Sequence, residues 1–322
     1  MGSFVLKRAL HALGVLWATF TAAFLLLYVL PGDAALSKMN LGAGGSGFSA
    51  EALERMRAEM GLDRSVLVQY LRALAAALHG DFGVSVQTGQ GALPMFAQAV
   101  PETLKLAALA LVFALLLGTG LSLLTAYVRS QKLRHALQAL PVIGVSMPSF
   151  WIGLVLLQIF SFKLRLLPGM GNEGLANLIL PAFVLAIPTT ALIAQILSRG
   201  LRSALGSAYV ATAQGRGASR ARLIFGHAFR NSVIPVVTAL GMASGQLIAG
   251  SVVVETVFSR SGIGLLTVKA VLFQDTPIVL VAVLFAASVF VTVNLIVDIL
   301  YPLIDPRIEI GVRRTAGAGG RS

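Results

Sequence analysis

Six stretches of the chain run for 22 residues or more without an Asp, Glu, Lys or Arg: Ala9 to Leu30, Leu106 to Val128, Ala136 to Phe162, Gly174 to Ser198, Asn231 to Val254, and Thr276 to Val297. About 20 apolar residues in a helix cover a hydrocarbon core of about 30 Å, so each stretch predicts one membrane span. Lys7 and Arg8 precede the first in the manner of a secretory signal. Its apolar run is longer than such signals carry and no small-residue cleavage site follows, so it reads as a retained span. Pro141 and Pro148 interrupt the third stretch, and Pro181 and Pro188 the fourth. Each removes a backbone donor, which predicts bends where neighbouring groups or water satisfy the freed carbonyls.

Within the second stretch Ala110, Ala114, Gly118, Ser122 and Ala126 recur every fourth residue and so share one helix stripe. Small side chains there admit a second backbone closely, either inside the chain or from another membrane subunit. Gly241 and Gly245 in the fifth stretch have the same meaning. Residues 31–98 between the first two stretches are too long for a simple loop. A Gly-rich run through Gly42, Gly44, Gly45 and Gly47 leads into an amphipathic helix from Ser49 to Met60 and a second from Val66 to Leu78, stopped by Gly80. This segment reads as a small helical external subdomain packed on the membrane domain, too short to bury a good core of its own.

Composition agrees with the pattern. The 322 residues are 57% hydrophobic and 12% charged, with mean hydropathy +0.85, whereas soluble domains carry about 25% charged residues. The fold class is an all-α integral membrane protein with six transmembrane helices. The absence of cysteine excludes a disulfide framework, a thiolate metal site and a cysteine nucleophile.

A net charge of +12 would also suit a nucleic-acid binder, but its distribution follows membrane topology instead. Lys7 and Arg8 precede the first span; Arg129, Lys132 and Arg134 join the second and third; six arginines between Arg199 and Arg230, with no acid, join the fourth and fifth. The alternate connections are balanced, with five basic and six acidic residues in 31–98 and two of each in 255–275. The positive side faces the cytoplasm, which places both termini there. Charged groups at the span ends are candidates for a translocation path or gate: Glu102 and Lys105, one turn apart and expected to pair, Glu255, and Asp298. For each of them a structural pair or an interfacial position is the stronger reading than direct contact with a substrate.

The connection from Arg199 to Arg230 predicts two short helices, about Ser203 to Ala213 and Ser219 to Phe229, broken around Gly215 and Gly217. Its arginines suit a lipid surface. The small residues Ala208, Ala211, Ala213 and Gly217 suit close docking in a protein cleft, since a lipid-surface helix carries a larger apolar face.

The run Tyr209, Val210, Ala211, Thr212, Ala213, then Gly217, His227, Arg230, Asn231 and Pro235 resembles the "EAA" coupling loop of ATP-binding-cassette importer permeases, in the form found in dipeptide, oligopeptide and nickel permeases. The resemblance extends along the chain through Pro31-Gly32-Asp33, Gly61-Leu62-Asp63, Gln69-Tyr70, Gly80-Asp81-Phe82-Gly83, Glu255-Thr256-Val257-Phe258, Gly262-Ile263-Gly264 and Asp305-Pro306-Arg307. It implies a type I importer permease fold: residues 1–30 as N-terminus and first span, 31–98 as the external subdomain, 99–301 as a five-helix core with coupling loop 199–231, and 302–322 as a cytoplasmic tail. It also implies partners: a second homologous permease, two cytoplasmic ATPases carrying ATP and Mg, an extracytoplasmic binding protein, and the lipid of a bacterial inner membrane. ATPase coupling would fall to Ala211, Thr212, Ala213, Gly217, His227, Arg230, Asn231 and Pro235. Two departures stand out: Ala211 occupies the position of the name-giving Glu, and Gly215 adds a glycine beside Gly217.

The chain lacks a G-x-x-x-x-G-K-[ST] phosphate loop, so no cofactor is expected on it and energy comes from a partner. An ion-driven secondary transporter would show related halves and intramembrane acidic relays, and an intramembrane serine protease would need a base at membrane depth. Neither pattern is present. Short peptides are the substrate the resemblance favours, followed by nickel or metal chelates, glutathione and peptide-like antibiotics; the lack of a His cluster, cysteine or grouped carboxylates disfavours a direct metal site and leaves a metal carried inside a chelate open.

Overall fold

The computed structural model describes residues 2–29, 51, 54–55 and 65–304, and they are helical throughout apart from turns and one isolated bridge between Val84 and Gly91. The elements are α1 (Gly2–Phe24, continued by a wide π turn Leu25–Val29), α2 (Val66–Leu78), α3 (Ala92–Tyr127), α4 (Gln131–Ser146), and α5 (Ser149–Leu156, with a π turn to Lys163). Then follow α6 (Ala176–Leu205), α7 (Ala208–Gly215), a π turn Arg222–Ala228 leading into α8 (Phe229–Ser232), α9 (Ile234–Val257), α10 (Ile263–Leu272) and α11 (Thr276–Ile304). The predicted helix Ser49–Met60 and the motifs at 31–33, 61–63 and 305–307 lie outside the described residues.

Each apolar stretch is helical, but not each is one straight span. By length and apolar content α1, α3 and α6 cross a membrane unaided. The third stretch is divided into α4 and α5, whose axes meet at 102°. Pro148 causes the break: it has no N–H to continue α4, and its ring pushes Met147 into extended backbone (φ −96°, ψ 137°). Pro141, Pro181 and Pro188, by contrast, sit inside continuous helices. The fourth stretch runs past Ser198 to Leu205, so Ser203 to Leu205 belong to α6 and not to the first short helix.

The stripe of small residues packs inside the chain. Ala110, Ala114, Gly118 and Ser122 are buried against α6, where Ser122 Oγ donates to the carbonyls of Gly118 at 2.8 Å and Ala194 at 3.1 Å. A Cβ on Gly118 would stand 2.8 Å from Ile193 Cβ and 3.0 Å from the Thr190 carbonyl, which sets how closely the two backbones approach. Large apolar side chains face outward instead, among them Trp17, Leu116, Leu154 and Phe290, the inverse of a soluble protein and suited to acyl chains. A smaller cluster joins α1 to α11 through Phe20, Phe24 and Leu280. α2, with the limits its pattern predicts, docks on this cluster: Tyr70 packs edge-on to Phe24, and its hydroxyl lies 2.9 Å from Thr21 Oγ1.

Candidate functional site

Two groups of the sequence-derived residues gather at opposite ends of α3 and α6. At the first end, α9 stops at Val257 and the chain reverses through Ser259, whose φ is +50°, so that α10 starts back toward α9. This turn aims the unpaired N–H groups of α10 at Glu255. The Glu255 carboxylate accepts from Gly264 N at 2.7 Å, Leu265 N at 3.3 Å and Thr103 Oγ1 at 2.6 Å, and Thr103 Oγ1 in turn accepts from Ile263 N at 2.9 Å. A carboxylate there satisfies helix-end donors and complements the helix dipole. The spacing of Glu255-Thr256-Val257-Phe258 and Gly262-Ile263-Gly264 thereby has a physical cause. A Cβ on Gly262 would overlap the Glu255 carboxyl group, and one on Gly264 would overlap the Val252 backbone.

Arg260 completes this end, and the sequence reading did not single it out. It is 1% exposed, and its Nη2 donates to Glu102 at 3.0 Å while its Nη1 donates to the carbonyls of Gly171 at 3.0 Å and Asn177 at 3.3 Å. Glu102 also pairs with Lys105 at 2.7 Å, as its i, i+3 spacing predicts, and accepts from Asn172 Nδ2 at 3.0 Å. Asn172 Oδ1 accepts from Ser261 N at 2.9 Å, so α3, the loop before α6 and the α9–α10 turn are tied together. Burial lowers the Arg260 pKa from its ordinary value, while the carboxylates of Glu102 and Glu255 oppose that shift. A cavity of about 410 Å³ bordered by Glu102, Asn172 and Lys269 opens beside the cluster. The only signal for Arg260 in the sequence was its place between the two halves of one motif.

The segment 80–91, which precedes α3, is anchored near the same end. Asp275 is buried, takes a short hydrogen bond from Ser85 Oγ, and accepts from Val86 N at 3.2 Å. Asp298 lies in α11, with its side chain outside the described residues.

At the other end, α7 projects beyond α6 and leaves Ala211, Thr212 and Gly217 exposed and Ala213 half-buried. Val210 turns inward, alongside Leu223, Ile224 and Ala228 of the π turn. Gly215 ends α7 as its last residue, so the break falls at Gly217, whose φ of +82° is the left-handed conformation a glycine adopts without a Cβ penalty. Asn231 Nδ2 donates to the Tyr209 hydroxyl at 3.1 Å and so holds α8 to α7. His227 is half-buried, Arg230 is exposed, and Pro235 opens α9 at a position where no amide is needed. The Tyr209–Asn231 contact brings the two ends of this run together.

Long apolar helices with outward-facing apolar side chains, a tethered turn at one end and an exposed short-helix segment at the other define a polytopic helical membrane protein. The chain belongs to the family described as the binding-protein-dependent transport system inner membrane component: residues 118–310 match that family's model, and residues 1–107 match its N-terminal companion. A protein described as a peptide transport system permease of Brucella abortus (strain 2308) is 34% identical over 317 residues, covering 96% of this chain and 99% of that relative. The dipeptide transport system permease protein DppB of Escherichia coli (strain K12) is 32% identical over 347 residues, covering 96% and 99%. A solved structure described as an amino acid ABC transporter with histidines aligns with a TM-score of 0.46 and 18% identity, covering 63% of this chain and 91% of that one.

Proposed function

We propose that this chain is one of two related membrane subunits of an ATP-driven importer that carries short peptides from a binding protein outside into the cytoplasm. Both termini then lie in the cytoplasm, and two ATPase subunits hydrolyse ATP with Mg there. The names of the peptide and dipeptide relatives support the substrate class. The observation that carries the coupling role is the open surface of α7 and the turn after it, where Ala211, Thr212 and Gly217 are exposed and small enough for close docking. Arg230 is exposed and His227 half-buried in the segment that follows, and the Tyr209–Asn231 bond ties that segment to α7. Glu102 borders a cavity of about 410 Å³ and pairs with Lys105, which supports a role for the two at the outer mouth of the pathway.

The test is Gly217→Asp in the assembled transporter. Nothing lies within 4 Å of the position a Cβ would take, so the chain itself has room for the side chain. The cost comes from a left-handed backbone that a side chain disfavours and from burying a charge in the docked contact. The subunit should be present at normal level, with substrate-stimulated ATP hydrolysis and uptake lost and the binding protein's affinity unchanged. Normal uptake would overturn the coupling role. Greater damage from Arg220→Gln with Arg222→Gln would assign the segment to a lipid surface instead.

A further inference from the structure

Between α3, α4 and α6, at the end that carries the arginine-rich connections, lies a cavity of about 370 Å³ with Arg199, Arg202 and Gln138 in its wall. A second cavity of about 140 Å³ shares Arg202 and Gln138 and adds Arg134 and Arg220. Four guanidinium groups therefore converge on one concave region, and neither wall contains an acid.

Among the described residues no carboxylate pairs with these four arginines. The chain has no Asp or Glu in 103–172 or in 174–254, the two stretches from which both cavity walls are drawn. Arg199 and Arg202 make no side-chain hydrogen bond or ion pair among the described residues. The Arg134 Nε is buried without a partner, although its Nη2 donates to the Val128 carbonyl at 3.0 Å. Arg220 Nη2 donates to the Ala126 carbonyl at 2.9 Å, so these two guanidiniums are held in place by neutral acceptors only. Arg199 and Arg202 keep all their donors available, and guanidinium groups lining a concave site bind a phosphate oxygen pair better than separate surface lysines do, because the fork matches the anion's geometry.

The apolar part of the wall decides which phosphate. Val142 lines the larger cavity and is 55% exposed, and Leu140, Ile143 and Val145 around the same stretch of α4 are exposed as well. A free phosphate has no use for that apolar surface, whereas acyl chains would cover it. We infer that this region is a headgroup site for an anionic phospholipid, with the phosphodiester on Arg199 and Arg202 and the chains along α4. Basic pockets between membrane helices are a recurrent setting for such headgroups. The inference rests on the membrane assignment and is independent of the peptide substrate.

The test uses the assembled transporter in nanodiscs made of equal parts phosphatidylcholine and phosphatidylglycerol, with native mass spectrometry of the lipid retained after gentle detergent release. The unmodified protein should retain phosphatidylglycerol in preference to phosphatidylcholine. Arg199→Gln with Arg202→Gln should reduce that retention roughly tenfold or more. Arg129→Gln with Lys132→Gln removes the same charge from outside the cavity and should leave retention unchanged. Equal loss in both variants would overturn the proposal, as would release of the lipid by inorganic phosphate alone. Lipid retention only when the ATPase subunits are absent would also overturn it, because a partner's carboxylates would then fill the site.

Discussion

The carboxylate of Glu255, in the last turn of α9, accepts the amide of Gly264 in the first turn of α10 at 2.7 Å, and it lies so close that neither Gly262 nor Gly264 has space for a side chain. One residue thus ends one helix and starts the next. Its position depends on Thr103 of α3, which bonds both the carboxylate and the Ile263 amide. The motif is a joint between three elements, read from the sequence as two separate pieces.

Gly264→Ala should lower the thermal midpoint of the purified protein, since the new methyl group meets the backbone of Val252 and cannot be relieved by a side-chain rotation. Overpacking of this kind costs about 1–3 kcal/mol. Gly215→Ala is the comparison: nothing lies within 4 Å of its Cβ position and it ends a helix, so it should be neutral. Equal midpoints for the two variants would refute the joint.

Arg260→Met should destabilise the fold by about 1–3 kcal/mol, because it leaves the Gly171 and Asn177 carbonyls without their donor and removes one of the three partners of Glu102, which keeps Lys105 and Asn172. Adding Glu102→Gln should cost less than the two single changes summed, because the Arg260–Glu102 pair is lost only once. A double-mutant cycle on denaturation midpoints reads the coupling. Strict additivity would show that the pair carries no joint energy.

Gly118→Val should separate α3 from α6 and lower expression and thermal stability, and Ile193→Ala in the same protein should restore only a part, because alanine keeps the Cβ and the Thr190 carbonyl stays in place. The reason is local: the added atoms fall 2.8 Å from Ile193 Cβ. Ser122→Ala should cost about 1 kcal/mol through its lost bond to the Ala194 carbonyl. If Gly118→Val is tolerated without compensation, the stripe does not form this seam.

Reporter fusions at Gly45 and Ser219 should report opposite sides of the membrane, with Ser219 in the cytoplasm, as the Lys and Arg distribution requires. Both on one side would reject the topology.

The features legible in the sequence are those governed by neighbours along the chain. The apolar runs mark the helices because burial in lipid demands about 20 consecutive apolar residues with their backbone groups paired internally. The limits Val66 to Leu78 follow from periodicity ended by glycine, and the Glu102–Lys105 pair follows from i, i+3 spacing on one helix. The left-handed glycine at 217 marks the break in the coupling segment by its lack of a Cβ. Tertiary structure alone decided the rest. Arg260 meets Glu102 across 158 positions, Ser122 meets Ala194 across 72, and Tyr209 meets Asn231 across 22. Pro148 divides its stretch at 102°, whereas Pro141, Pro181 and Pro188 lie inside continuous helices, a difference that the four prolines alike did not reveal in the sequence. Such contacts depend on which helix faces are brought together. A single sequence fixes the faces, and only packing selects their partners.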